Sequence, residues 1–266
     1  MSSAATKKLR HKTASRRALE EHSAIHPLCF ETRTIYRVSV HLLILGRGKT
    51  GSLVAEVAQQ RHHKTRVLGA ADNPNASALR PELLHSIDTV IDFTTPASAL
   101  ANITAVAAAG KNMVVGTTGW YNEMERVRQL VEQHNTGFVY AANFSIGVNL
   151  FFDIARAAGA APVYGYLPQI FERHHVHKKD APSGTAIALQ RIIKETGRVE
   201  PEITSFREGE VVGMHEIVME SANDRIYLCH DASSRRGFAE GAVLAAEWLA
   251  GKKGFFDFKD IWRDLA

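Results

Sequence analysis

Residues 38–62 read VSVHLLILGRGKTGSLVAEVAQQRH, and the change of period inside this stretch decides the fold. Val38–Leu45 is a short, nearly unbroken apolar run, the mark of a strand buried on both faces, and Thr50–His62 continues as a helix. Between them lies Gly46-Arg47-Gly48-Lys49-Thr50-Gly51, a G-x-G-x-x-G placed directly after a strand and opening a helix. The glycines permit a tight turn and close backbone approach, and the helix start offers unpaired N–H groups to a pyrophosphate. A second strand is expected over Arg66–Ala71. Asp72 then ends it about 20 residues past the last glycine, where an acid that bonds a ribose belongs. Asp72 before Asn73-Pro74 also fits a plain turn residue. A carboxylate at this point favours a free 2′-hydroxyl, hence NADH, whereas Lys49 is able to meet a 2′-phosphate, so both NADH and NADPH stay open.

Working outward, strands are expected at Thr89–Phe93, Asn112–Gly116 and Gly137–Ala141, separated by helices at Pro96–Ala109 and Asn122–His134. Short apolar strands alternating with helices of ten or more residues imply an α/β fold, a Rossmann-like parallel sheet covered on both faces, over residues 38–143. After Asn143 the pattern changes. A small-residue-rich helix over Ile146–Ala158 and a strand over Tyr164–Phe171 lead through a polar block to a helix over Gly184–Glu195, stopped by Gly197. Three β-like runs follow, at Ile203–Arg207, Val211–Met219 and Arg225–His230. These predict a second, α+β substrate domain over 144–232. The last helix, Gly237–Ala250, with Leu244 and Trp248 at i, i+4, is expected to return residues 233–266 to the first domain.

Composition narrows the function classes. With 45% hydrophobic and 23% charged residues, the 266-residue chain is neither disordered nor collagen-like. No uninterrupted apolar stretch approaches the roughly 18 residues of a bilayer span, so no membrane partner is expected. The net charge of +4 is a tail effect: residues 1–37 carry eight Lys or Arg against three Glu, leaving the body one charge negative. Nucleic-acid binding is therefore not expected. Residues 1–37 read as a poorly ordered basic extension. They lack the apolar core of a secretory signal, and Glu20, Glu21 and Glu31 dilute a transit-peptide pattern. Cys29 and Cys229 form no disulfide framework, which points to a reducing, cytoplasmic setting.

The densest chemistry is Glu172-Arg173-His174-His175-Val176-His177-Lys178-Lys179-Asp180-Ala181-Pro182-Ser183-Gly184-Thr185. Adjacent histidines on a loop lack the i, i+4 geometry of a helical zinc pair and no cysteine accompanies them, so no metal is expected. Pro182-Ser183-Gly184-Thr185 reads as a helix start with a positive dipole end. Imidazoles, two lysines and that helix start together make a pocket for a small dianion such as a dicarboxylate, and a histidine there is able to move a proton.

At this block the chain resembles the 4-hydroxy-tetrahydrodipicolinate reductase (dihydrodipicolinate reductase) family of the diaminopimelate route to lysine. The family pattern of Glu, two His, one residue, His, Lys, one residue and Asp-Ala-Pro-Ser-Gly-Thr-Ala is matched almost throughout. Ile91-Asp92-Phe93-Thr94, Gly116-Thr117-Thr118-Gly119-Trp120 and Ala141-Ala142-Asn143-Phe144-Ser145 resemble its cofactor-side loops. Arg207-Glu208-Gly209-Glu210 with Gly213 and His215, and Ala232-Ser233-Ser234-Arg235, follow in the same order. The resemblance implies an NAD(P)H-dependent oxidoreductase acting on a cyclic dicarboxylate. It implies His174 as proton donor/acceptor, Lys178 as proton donor, and His175 with the Gly184-Thr185 backbone as carboxylate binders. Gly46, Arg47, Gly48, Lys49, Thr50, Gly51 and Asp72 are implied on the cofactor. Gly116, Thr117 and Thr118, with Ala141, Ala142, Asn143 and Phe144, are implied on its nicotinamide side. It further implies a homotetramer built through the second-domain sheet. The glycine loop departs from the commonest family form, being one residue shorter with Thr50 in place of Met. Asn73 stands where some members carry an Arg for a 2′-phosphate.

Overall fold

Leu42, Leu43, Ile44 and Leu45 are all buried in the first strand, and the rest of the fold is assembled around them. The computed structural model describes residues 39–265; the expectations for residues 1–37 lie outside the described residues. In chain order the elements begin β1 (His41–Leu45), α1 (Lys49–Gln60), β2 (Lys64–Leu68), the single turn α2 (Pro81–Leu84), β3 (Thr89–Asp92) and α3 (Pro96–Ala108). Next come β4 (Asn112–Val115), α4 (Met124–Gln133), β5 (Gly137–Tyr140), α5 (Ile146–Ala158), β6 (Leu167–His174) and α6 (Gly184–Gly197). The chain closes with β7 (Glu202–Arg207), β8 (Met214–Glu220), β9 (Arg225–Asp231), α7 (Arg236–Trp248), β10 (Gly254–Asp257) and the single turn α8 (Phe258–Ile261).

Six strands form one parallel sheet in the order β10-β5-β4-β3-β1-β2. Both faces are covered, which is why its central strands read as continuous apolar runs rather than alternating ones. One face packs Val54, Val57 and Ala58 of α1 against Ala242, Val243 and Ala246 of α7 and the Leu249 that follows it. The other packs Ile103 and Val106 of α3 with Val127 and Val131 of α4 and the buried Trp120. The order reverses at β1, so the loops leaving β1 and β3 lead to opposite faces and open a crevice at their carboxyl ends. A half-buried polar cluster ties α7 to the end of α1. Glu247 accepts from Arg61 at 2.8 and 2.7 Å and from His63 Nε2 at 2.7 Å.

The remaining strands form a mixed sheet, β7-β6-β8-β9, in which β6–β7 is parallel and the other two pairs are antiparallel. Only its inner face is covered, by Phe151 and Ala155 of α5 and Ala186, Leu189 and Ile193 of α6. By composition, Ile146–Tyr164 is long and apolar enough to cross a membrane. Here its apolar residues Phe151 and Ala155 sit in this core, and Asp153 pairs with Arg156 at 2.8 Å and with Arg263 on its outer side.

Several expectations are corrected. The second strand ends at Leu68, and Ala70–Asp72 is a 3-10 turn, because Asp72 Oδ2 accepts the Gly69 N–H at 2.8 Å and closes the chain locally. β6 runs on to His174 rather than stopping at Phe171, since pairing with both neighbours continues to the end of the strand. β8 starts at Met214, three residues later than expected. On α7 the buried stripe is made of small residues, Ala239, Ala242, Val243, Ala245 and Ala246, whereas Leu244 and Trp248 are only partly covered. Strand β10 had no counterpart among the sequence expectations; its four residues are all half-buried, so it carries little apolar signal at the sheet edge.

Candidate active site

The glycine loop forms as its sequence requires. Gly46 has φ +108°, and a Cβ there would lie 2.2 Å from the Phe93 carbonyl oxygen, so only glycine fits the turn. A Cβ on Gly51 would lie 2.2 Å from the Gly46 carbonyl oxygen, so the helix could not seat so closely on the turn. Gly48 has open space where its side chain would be, and as N-cap of α1 it supplies no side-chain acceptor to the helix start. A cavity of about 280 Å³ opens at this point, lined by Gly48, Lys49, Thr50, Gly51, Thr94 and Gly116–Thr118. A pyrophosphate fits this cradle: free space, exposed helix N–H groups and the positive dipole end coincide. The adjoining loops are held by buried Asp92, whose Oδ1 accepts from Thr94 N at 2.9 Å and from Thr117 Oγ1 at 2.7 Å. Arg47 and Asp72 lie outside this cavity and pair with each other at 3.2 Å across the exposed edge.

The histidine block is built by strand alternation. Along β6, Ile170, Glu172 and His174 point inward while Gln169, Phe171 and Arg173 point outward. Register then lays down rows across the inner face. Ile203, Ile170, Ile217 and Leu228 form an apolar row, and the next row is Ser205, Glu172, His215 and His230. His174 lies opposite Arg207 in the row after that. The core of the second sheet thus turns polar within two residues, where the helices stop covering it.

Glu172 is fully buried, and its carboxylate accepts from Ser183 N at 3.0 and 3.1 Å, Ser205 Oγ at 2.7 Å and Arg207 Nη2 at 3.1 Å. These donors hold its pKa below the usual carboxylate range against the opposing effect of burial. Its Oε2 lies 3.5 Å from His174 Nδ1 and 3.9 Å from His215 Nε2. Burial lowers the His174 pKa, partly offset by the Glu172 charge. Burial, with His174 beside it, pushes the His215 pKa down to about 4. Both rings are therefore neutral at pH 7. Glu172, His174 and His215 bring three ligand atoms within 4.8 Å of one another, the spacing of a metal site. However, Glu172 is already engaged by four donor contacts, and the Arg207 guanidinium against it opposes a dication.

Ser183 caps α6 through its hydroxyl, which accepts the Ala186 N–H at 3.2 Å and also meets His215 Nε2 at 3.1 Å. Beside this helix start, Lys178 Nζ is ion-paired with Asp180 at 2.7 and 2.8 Å. A cavity of about 640 Å³ covers the whole arrangement. His174, His175, Lys178, Gly184, Thr185, His215 and Arg235 line it together with Thr118, Ala142 and Asn143 from the parallel-sheet loops. Thr118 lines both cavities, so the glycine cradle and the histidine pocket adjoin. Partial burial, then the nearby Arg235 and Lys49 charges, lower the His175 pKa.

Of the residues expected in the site, His174, His175, Lys178, Gly184, Thr185, Thr118, Ala142 and Asn143 meet in this pocket. His177 instead is exposed beside Glu210, 3.8 Å away, and Lys179 is exposed, so one imidazole and one ammonium fewer face the pocket than the sequence suggested. Ala141 and Phe144 are core residues, with the Phe144 ring 4.8 Å from Phe258. Gly46 is a turn residue beneath the loop. Sequence reasoning gave no role to Glu172, His215, His230 or Arg235. Period-2 alternation from Ile170 through His174 was the available signal for Glu172.

The family described as "Dihydrodipicolinate reductase, N-terminus" matches residues 40–144, and "Dihydrodipicolinate reductase, C-terminus" matches residues 147–262. A 4-hydroxy-tetrahydrodipicolinate reductase of Christiangramia forsetii is 37% identical over 240 residues, covering 85% of this chain and 99% of that protein. One from Neisseria meningitidis is 33% identical over 253 residues, covering 80% of this chain and 93% of that protein. Among solved structures, a dipicolinate-bound dihydrodipicolinate reductase from Paenisporosarcina sp. TG-14 shares the fold with a TM-score of 0.68 at 23% identity, covering 84% of this chain and 100% of that one. With both halves of the described body matched in order, the chain belongs to the dihydrodipicolinate reductase family.

Proposed function

We propose that this chain is a 4-hydroxy-tetrahydrodipicolinate reductase: it converts (2S,4S)-4-hydroxy-2,3,4,5-tetrahydrodipicolinate to tetrahydrodipicolinate with NADH or NADPH, on the diaminopimelate route to lysine. The observation that carries this reading is the pocket in which Lys178, His174, His175 and the start of α6 face Thr118, Ala142 and Asn143 next to the glycine cradle. The bound dinucleotide supplies a hydride. In the net reaction that hydride and one proton enter while the 4-hydroxyl leaves as water.

The chain's own groups account for the rest. The Gly184 and Thr185 N–H groups, at a positive dipole end, take one substrate carboxylate, and His175 and Lys178 meet the anionic ring from the opposite loop. Lys178 must exchange Asp180 for substrate, so the ion pair keeps the ammonium oriented before binding. His174, neutral at pH 7, accepts or relays a proton, and the lysine ammonium donates one. Approach of the two sets of loops excludes water around the reacting ring.

Cofactor choice turns on the Arg47–Asp72 pair. Asp72 is held to accept a ribose 2′-hydroxyl, while Arg47 beside it is able to meet a 2′-phosphate, so we infer that both cofactors are used. The outer face of the mixed sheet exposes Leu167, Phe206 and Tyr227, and an exposed apolar face suits association. We assign it to association of copies into a homotetramer. A cytoplasmic setting suits a chain whose exposed Cys229 is a free thiol. The test is reduction of enzymatically generated substrate with NADH and NADPH compared side by side. Consumption of both is expected, and consumption of neither overturns the reading.

A further inference from the structure

We propose that Glu172 is the positioning residue of this pocket: a single buried carboxylate fixes both the helix start that receives the substrate carboxylate and the imidazole of His174. The inference rests on the dicarboxylate reading above and assigns the organising role to a group that does not itself line the cavity.

Three observations meet at Glu172. Its carboxylate grips the Ser183 N–H with both oxygens, and Ser183 is the N-cap of α6. The direction in which the Gly184 and Thr185 N–H groups point is therefore set from beneath by this bond and by the Ser183 hydroxyl. Ser205 Oγ and Arg207 Nη2 hold Oε1 from β7, so the carboxylate has no rotational freedom of its own. Oε2, with only the shared Ser183 N–H on it, turns toward His174 Nδ1 at 3.5 Å and His215 Nε2 at 3.9 Å. His174 Nδ1 is buried and without another partner among the described residues. On the ring's other side a Cβ at Gly213 would lie 3.1 Å from Nε2, so the ring is confined between that backbone and the carboxylate. Orientation of the ring and of the helix start thus share one support.

The charged and titratable groups facing His174 are few. Glu172 faces it from its own strand, His215 from β8 and Arg207 from β7, while Lys178 and Asp180 face it from the loop after β6. Glu172 is the nearest anion in that set, and removing its charge leaves Lys178 and Arg207 less opposed. Loss of the carboxylate charge therefore moves His174 titration to lower pH.

The experiment uses the full chain, reading His174 titration from its imidazole NMR signal and the affinity for dipicolinate by calorimetry. In Glu172→Gln the His174 titration is expected to fall by about one pH unit, and dipicolinate binding to weaken by about tenfold. Glu172→Asp, which keeps the charge but withdraws it, should weaken binding and leave the titration nearer the wild-type position. A folded Glu172→Gln with unmoved titration and unmoved affinity overturns the proposal. Should that variant fail to fold, Ser205→Ala takes one donor from the same carboxylate. Weaker dipicolinate binding then supports the role, and wild-type binding overturns it. If the wild-type chain binds no dipicolinate, the substrate reading fails, and the His174 titration still decides for or against Glu172.

Discussion

The glycine loop and the histidine pocket adjoin, yet they are built on opposite principles. At the loop the geometry belongs to the backbone: Gly46 and Gly51 have no room for a Cβ, and Gly48 leaves open space over the start of α1. At the pocket it belongs to side chains, lifted from a sheet face by alternation and held by one buried carboxylate. The turn tolerates no added Cβ at Gly46 or Gly51. A side-chain pocket tolerates no change of charge or reach. The contrast predicts that lesions in the two regions separate kinetically.

The largest separation is expected from Lys178→Ala, which should lower kcat by about 10²–10⁴-fold while the KM for NADH or NADPH stays near wild type. Steady-state kinetics with each substrate varied in turn checks this, and a change in cofactor KM alone would blur the two regions into one.

A pH effect on stability comes next. Burial holds the folded His215 pKa at about 4, below its unfolded value of about 6.5. As pH falls through that interval the unfolded chain takes up the proton first. Stability is therefore full above about pH 6.5 and declines toward pH 4, by roughly 3 kcal/mol from this group. The lowered His174 pKa adds to it with the same sign. Denaturant unfolding at a series of pH values should show the decline in the wild type and a flatter curve in His215→Asn.

The smallest effect sharpens the backbone side. Gly51→Ala puts a Cβ 2.2 Å from the Gly46 carbonyl oxygen, and the shift needed to relieve it should cost about 1–3 kcal/mol of stability. Cofactor KM should rise by about tenfold, with the affinity for dipicolinate unchanged.

The same contrast explains what was legible in the sequence. The loop announces itself because a turn with close backbone approach requires glycine at fixed spacing after a buried strand, and each glycine lies where that reading places it. The parallel sheet was readable for a related reason, since doubly buried strands must be apolar along their whole length. The pocket was only half legible. His174, His175 and Lys178 were found, but ending β6 at Phe171 hid that Glu172 and His174 share the face of Ile170. His215 and His230 come from strands far along the chain, and only register brings His215 beside Glu172 and His230 beside His215. His177 and Lys179 carry the right chemistry and point elsewhere, which no composition argument could show. Strand β10 went unread because edge pairing, rather than apolar burial, defines it.

Most direct for the central claim is a single-turnover measurement in which enzyme preloaded with reduced nicotinamide cofactor is mixed with 4-hydroxy-tetrahydrodipicolinate and the nicotinamide fluorescence is followed. The account predicts rapid loss of that fluorescence in the wild type. In His174→Ala the loss should be slower by about 10²–10⁴-fold, with cofactor loading unchanged. Fluorescence that persists in the wild type, or decays at the same rate in the variant, would contradict it.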